Sequence, residues 1–288
     1  MSNSRSVLIL GMHRSGTSAT TRGLASLGVY LGDQLIEPRT DNIKGYWEDR
    51  YINDLNERLL GALSLSWDDP RYIYSCDFAK PEIESFKPEA LSYLNHSLAK
   101  NSLWGFKDPR TIRLLPFWKN VLDEMSVRHA YVIVIRNPVN VVNSLLERNG
   151  IGSTKANRLW LVHNVPFIHE ISKSSFVVVD YDLLLDDPLK QLFRIARALK
   201  IPIDSMDELN DYADNFLDLN LRHHSSELRS NIISSGDRNH LETMAQEAYL
   251  WLRELALDRL KTDSNLFWST WYKIQNSLQT INLCCPSI

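Results

Sequence analysis

Along this chain, short unbroken apolar runs alternate with stretches whose apolar positions recur at a helical period. Val7 to Leu10, inside "SVLILG", is bounded by polar residues and has the length of a short buried strand. "LWGFKD" at 103–108, "AYVIVIRN" at 130–137 and "FVVVDYD" at 176–182 predict three more strands. The unbroken centre of "AYVIVIRN" suits a strand covered on both faces. Between them, a helix can run from Gly16 to Gly28, and Trp47, Tyr51, Leu55 and Leu59 predict a second one with Glu48 in its first turn. Pro138 opens a helix at its first position, residues 154–172 read as helical, and "DDPLKQLFRIARALK" begins acidic and ends basic, as helices do. Residues 66–82, rich in Asp, Pro, Tyr and Ser, read as a surface loop.

Strands alternating with helices predict an α/β fold with a doubly wound, mostly parallel sheet and helical additions. The expected organisation is a single domain over residues 1–288, with its core at about 6–200 and a helical part at about 201–288. Near the end, Phe267, Trp271, Ile274, Leu278 and Ile281 fall on one helical face, which predicts a helix packed on its own chain.

Composition narrows the picture without deciding it. The 288 residues, 44% hydrophobic and 23% charged, are those of an ordinary globular protein. A formal charge of -3 gives no reason to expect nucleic-acid binding, although it allows a local basic pocket. No apolar run approaches the roughly eighteen residues of a membrane span. Cys76, Cys284 and Cys285 have neither metal-ligand spacing nor a disulfide framework, so no metal and a reducing cytoplasmic setting are expected.

The candidate chemistry starts at "GMHRSGTS". Gly11, Gly16 and Ser18 have the spacing of the phosphate loop GxxxxGK[ST], but Thr17 stands where nucleotide triphosphatases need lysine. A strand before it and a helix after it are the context in which such a loop presents backbone N–H groups to an anion. Arg14 follows the first strand, Lys107 and Asp108 the second, and Arg136 the third. In a doubly wound sheet these residues converge beyond the strands' carboxyl ends, where ligands sit.

These segments, in this order, resemble the sulfotransferases that use 3'-phosphoadenosine 5'-phosphosulfate. "GMHRSGTSA" is similar to their 5'-phosphosulfate loop, and "VIVIRNPVNVVNSL" to their 3'-phosphate element, with Arg136 followed eight residues later by Ser144. "VVVDYDLLLDDP" is similar to a later strand segment, with Tyr181 matching an adenine-contacting tyrosine, and "FKDP" resembles the lysine segment of the tyrosyl-protein members. The resemblance implies that Arg14, Ser15, Gly16, Thr17, Ser18, Arg136, Ser144 and Tyr181 hold the donor. Arg14 and Lys107 would steady the transferring group, and no metal would be required. A donor with one phosphate beside its sulfuryl group has no β,γ-phosphate and Mg²⁺ chain for a lysine to hold, which accounts for Thr17.

The base is open at this stage. The resemblance to tyrosyl-protein and carbohydrate members implies Glu48 in "KGYWEDR", which reads equally well as a helix N-terminal glutamate; Asp108 and then His13 follow. The expected acceptor is a hydroxyl, preferably of a glycan. An Arg-Lys-Gly element that grips the 3'-phosphate in cytosolic members is missing, and Arg222 with His223 and His224 could replace it. Two other functions compete. One is a small-molecule kinase using Mg-ATP, with Asp180 and Ser18 as metal ligands; the other is a nucleotide-binding module without catalysis, which would keep Arg136 and the loop but need no base.

Overall fold

The computed structural model describes residues 4–40, 42–125, 127–217 and 240–284. Among these, four parallel strands form one sheet in the order β2-β1-β3-β4: β1 (Arg5–Leu10), β2 (Leu103–Lys107), β3 (Arg128–Ile135) and β4 (Ser175–Asp180). The loop-bearing strand β1 therefore lies between β2 and β3, at the point where the strand order reverses. That is the topological switch point of an open α/β sheet.

Side chains alternate across β1, so Val7 and Ile9 enter one hydrophobic cluster while Leu8 and Leu10 enter the other. The first face carries α1 (Thr17–Ser26) and residues of the later α9 (Pro188–Leu199) and α10 (Met206–Asp211). The larger cluster takes in α2 (Arg50–Ala62), α4 (Lys87–Lys100), α5 (Leu115–Glu124), α6 (Pro138–Asn149) and α7 (Ser153–Asn164). Helices on both faces make the sheet doubly wound, as the alternation of patterns requires. Short α3 (Pro81–Glu84) and α8 (Tyr181–Asp186) complete the connections.

The last helices, α11 (His240–Ala256) and α12 (Asn265–Cys284), join the larger cluster too. Tyr249 donates its hydroxyl to the Asp180 carboxylate at 2.7 Å, and Phe267, Trp271, Ile274 and Leu278 are buried. The α12 stripe thus packs on its own chain.

Three local readings change. Residues 66–82 are more than a surface loop, because Ile73 and Phe78 are buried there and a 3-10 turn over Ser75–Ala79 leads into α3. The helix expected over 154–172 breaks after Asn164 and resumes as a 3-10 turn, Ile168–Ile171, since Pro166 lacks the N–H that would continue it. Trp47 has φ 57 and lies outside α2, whose N-cap is Asp49, so the helix starts later than the four-residue spacing implied.

Candidate active site at the phosphate loop

Between β1 and α1 the backbone turns sharply, with Arg14 at φ 68 and Gly16 at φ 85. Gly16 is needed on two counts. Its φ lies in the left-handed region, and a Cβ there would sit 2.0 Å from the Tyr181 ring. No side chain caps α1, so the first-turn amides have no partner inside the helix and remain available to an anion. Two buried polar atoms nearby, Ser15 Oγ and Arg136 Nε, also lack a protein partner. A bound group rich in acceptor oxygens would fit that set of donors.

The loop forms one wall of a cavity of about 360 Å³. Arg14, Thr17, Ser18, Arg136, Ser144 and Tyr181 all line it, so the structure brings together most of the donor residues that the resemblance implied. Arg14 Nε donates to Ser144 Oγ at 2.8 Å, and Arg136 Nη1 donates to the Arg14 carbonyl at 3.2 Å. The Arg136 guanidinium lies 5.1 Å from the centre of the Tyr181 ring, a cation–π contact that fixes its plane. Beyond these cations the cavity turns apolar, at Leu185, Phe216 and Leu217. A strap that includes Asn42 to Gly45 closes one side. Trp47 Nε1 donates to the Lys44 carbonyl at 2.9 Å, and Lys44 Nζ donates to the Phe216 carbonyl.

On the other side of the same loop lies a second, more polar cavity of about 540 Å³. The two share Arg14, Thr17, Ser18 and Asn42. At that wall sits Lys107, the last residue of β2, paired in register with Ile9 and 1% exposed. Its ammonium donates to Glu48 Oε1 at 2.7 Å and to Ser18 Oγ at 3.2 Å. Glu48 Oε2 accepts from Asn53 Nδ2 at 2.8 Å, and Ser18 Oγ donates to the Tyr46 carbonyl at 3.1 Å.

Glu48 is therefore not in the first turn of α2. It precedes Asp49, whose carboxylate caps that helix by accepting from Tyr51 N at 2.9 Å and Ile52 N at 3.0 Å. With the capping position filled by its neighbour, Glu48 is left facing the cavity and Lys107.

The other candidate bases are placed differently. Asp108 is fully buried and lines neither cavity among the described residues; its Oδ1 accepts from Arg110 N at 2.7 Å and its carboxylate also binds Arg110 Nη1. Burial raises its pKa to about 6, with Arg110 pulling the other way and Glu48 adding to the rise. His13 shows a ring edge at the second cavity, 4.5 Å from the Trp67 ring and 6.2 Å from His163, while its Nε2 is buried without a partner. Burial, then His163, Arg110, Lys107 and Arg148, hold it well below the usual histidine range. His163 is pushed down to about 3 by burial first and Arg113 next.

These three groups predict an acid-sensitive fold. Both histidines have folded pKa values below the unfolded one of about 6.5, so their stabilisation is complete above that pH and is lost as pH falls. Asp108 acts in the opposite sense: its folded pKa lies above the unfolded one, and it regains stability as pH falls through about 6. Two histidines against one carboxyl leave the fold losing stability as pH falls into the acid range. Melting curves across that range check it. His163→Gln should flatten the slope by one proton's worth, whatever its stability at neutral pH.

Sequence reasoning missed Asn53, Trp67, Phe216 and the strap, and it passed over Arg110 inside "FKDPR". Only Arg110 had a signal, its place two residues past a candidate site residue. Asp180, weighed as a metal ligand, caps α8 by accepting from Asp182 N at 2.9 Å and also binds Tyr249. Arg222, His223 and His224 lie outside the described residues. Among the described residues no helix is long and apolar enough to cross a membrane.

No protein-family model matches the chain, and no curated protein matches it. The solved structure of the sulfotransferase domain from the Synechococcus PCC 7002 olefin synthase is similar at 18% identity, with a TM-score of 0.47 over 87% of this chain and 96% of that one. The chemistry is left to this chain's own residues.

Proposed function

We propose that the protein is a sulfotransferase that moves the sulfuryl group of 3'-phosphoadenosine 5'-phosphosulfate to a carbohydrate hydroxyl in the cytoplasm. The observation that carries this reading is that two cavities meet at a lysine-free phosphate loop, with Arg14 and Lys107 close to the shared wall. The smaller cavity suits the donor. Arg136 and Ser144 would hold its 3'-phosphate, the loop amides with Ser15, Thr17 and Ser18 its 5'-phosphate, and Tyr181 with Phe216 its adenine.

The acceptor would enter the larger cavity. Its oxygen attacks sulfur as its proton passes to Glu48, and the bond from sulfur to the bridging phosphate oxygen breaks, leaving adenosine 3',5'-bisphosphate. Arg14 and Lys107 would meet the charge that builds on the bridging and sulfuryl oxygens. Amide side chains from Asn42, Asn53 and Asn149 beside the Trp67 ring support a sugar as acceptor.

A kinase is less well supported, because the Asp180 carboxylate is already occupied by the α8 amides and Tyr249. A binding-only module has no need of Glu48 and Lys107 buried against each other, an arrangement that carries a desolvation cost. The deciding experiment is a thermal-shift comparison. Adenosine 3',5'-bisphosphate at one hundred times its dissociation constant should stabilise the protein without metal by about 2.7 kcal/mol, or roughly 5 to 11 °C. AMP should do far less. Equal shifts, or a shift only with Mg-ATP, would sink the reading.

A further inference from the structure

Both carboxylate oxygens of Glu48 have partners, and the partners differ in kind. The Lys107 ammonium donates to Oε1 at 2.7 Å, while the Asn53 amide donates to Oε2 at 2.8 Å. An ionised carboxylate only accepts, which fixes the amide nitrogen of Asn53 on the Glu48 side. Both groups stand on ordered backbone. Asn53 N donates to the Asp49 carbonyl at 2.9 Å as an ordinary bond of α2, whose start the Asp49 side chain caps. The Glu48 carbonyl accepts from Ile36 N at 2.8 Å, and Arg50 N donates to the Gln34 carbonyl at 2.9 Å, so the segment carrying Glu48 is clamped on both sides. Glu57, one turn beyond Asn53 on α2, pairs with Arg110 at 2.8 Å.

The two oxygens of Glu48 are not equally able to take a proton. A full positive charge beside Oε1 favours negative charge there, and that ammonium is itself 1% exposed and held against Ser18. Oε2 meets a neutral amide and keeps a second lone pair. Glu48 and Asn53 both line the larger cavity, where the acceptor would enter. Without the Asn53 bond the carboxylate could turn both oxygens to Lys107, and a carboxylate held in that way is a poor base.

Building on the sulfotransferase reading, we infer that Asn53 is a positioning residue: it holds the Glu48 carboxylate so that Oε2, and not the oxygen paired with Lys107, receives the proton of the acceptor hydroxyl. Asn53 acts through Glu48 and takes no part in holding the donor.

The test compares the full-length parent with Asn53→Ala and Asn53→Asp. The rate of adenosine 3',5'-bisphosphate release from 3'-phosphoadenosine 5'-phosphosulfate is followed against pH, with water and with methyl glucoside as acceptor hydroxyls. Asn53→Ala should slow release by about tenfold or more, the usual effect of losing a hydrogen bond to a charged group. The melting shift induced by adenosine 3',5'-bisphosphate should stay as in the parent. Asn53→Asp keeps the shape but sets a second carboxylate against Glu48, and like charges that close resist ionising together. Its acid limb should therefore lie at least about one pH unit above the parent's. Carbon-13 resonance of labelled glutamate carboxyls gives a second readout that needs no acceptor. The Glu48 signal, identified by its loss in Glu48→Gln, should titrate at higher pH in both variants.

A lower melting temperature with an unmoved pH profile and an unmoved Glu48 titration would leave Asn53 a packing residue and overturn the inference. Parent-like rates in both variants overturn it as well, and a weaker nucleotide-induced shift would assign Asn53 to the donor. A parent that consumes no donor strikes instead at the sulfotransferase reading, while the carboxyl titration still shows whether Asn53 governs Glu48.

Discussion

Replacing Glu48 with Gln is expected to cut turnover by about 10²- to 10⁴-fold, the usual contribution of a positioned base. The substitution preserves shape and keeps an acceptor for the Lys107 ammonium, and Asn53 can turn its amide to suit the new partner. Nucleotide binding should survive, because Arg14, Arg136 and the loop amides do not depend on that carboxylate. Some stability will go, since Lys107 then faces a neutral group in a nearly closed site. The readout is therefore the shift that adenosine 3',5'-bisphosphate induces, set beside the rate constant. Lys107→Ala serves as the control, with an expected loss of about 10² to 10³ in rate. A Glu48→Gln enzyme with intact turnover and a lowered melting temperature would reduce Glu48 to a structural partner of Lys107. His13 would then be the remaining candidate at the cavity wall.

Trp271→Ala should be among the most destabilising single changes in the chain, at about 3–5 kcal/mol. The indole is 0% exposed and lies 5.4 Å from the Phe267 ring in a near-parallel stack, so truncation leaves a cavity in the larger hydrophobic cluster. At roughly 2 to 4 °C per kcal/mol, the melting temperature should drop by about 6 to 20 °C in a calorimetric scan. Removing residues 264–288 should cost more still. A truncated protein that melts unchanged while its mass in solution falls would mean that α12 covers a partner and not its own core.

The parts of this molecule that follow from local pattern were legible in its sequence. From Ala130 on, β3 is an unbroken apolar run, and Asn137 with Pro138 marks the start of α6 through capping and a fixed φ. Arg14, Arg136 and Ser144 could be grouped because each follows from a strand end or a helical spacing. Glu48 was singled out by the resemblance, and its competing reading as a first-turn helix glutamate fails, because Asp49 takes the capping role next to it. Residues brought in by tertiary packing left little trace. Phe216 reaches the smaller cavity from a π-helical turn nearly two hundred residues beyond the loop, and Trp67 comes from a polar stretch with no period. Nothing in the spacing of either could reveal the cavity it faces.

The wall that the two cavities share has a kinetic meaning. Arg14, Thr17, Ser18 and Asn42 are touched from both sides, so on the proposed reading donor and acceptor would sit in adjoining cavities at the same time. A group passed across such a wall needs no temporary attachment to a side chain. Under the proposed sulfuryl transfer, two adjoining cavities suit a ternary complex in which transfer is direct, and not a relay in which the first product leaves before the second substrate arrives.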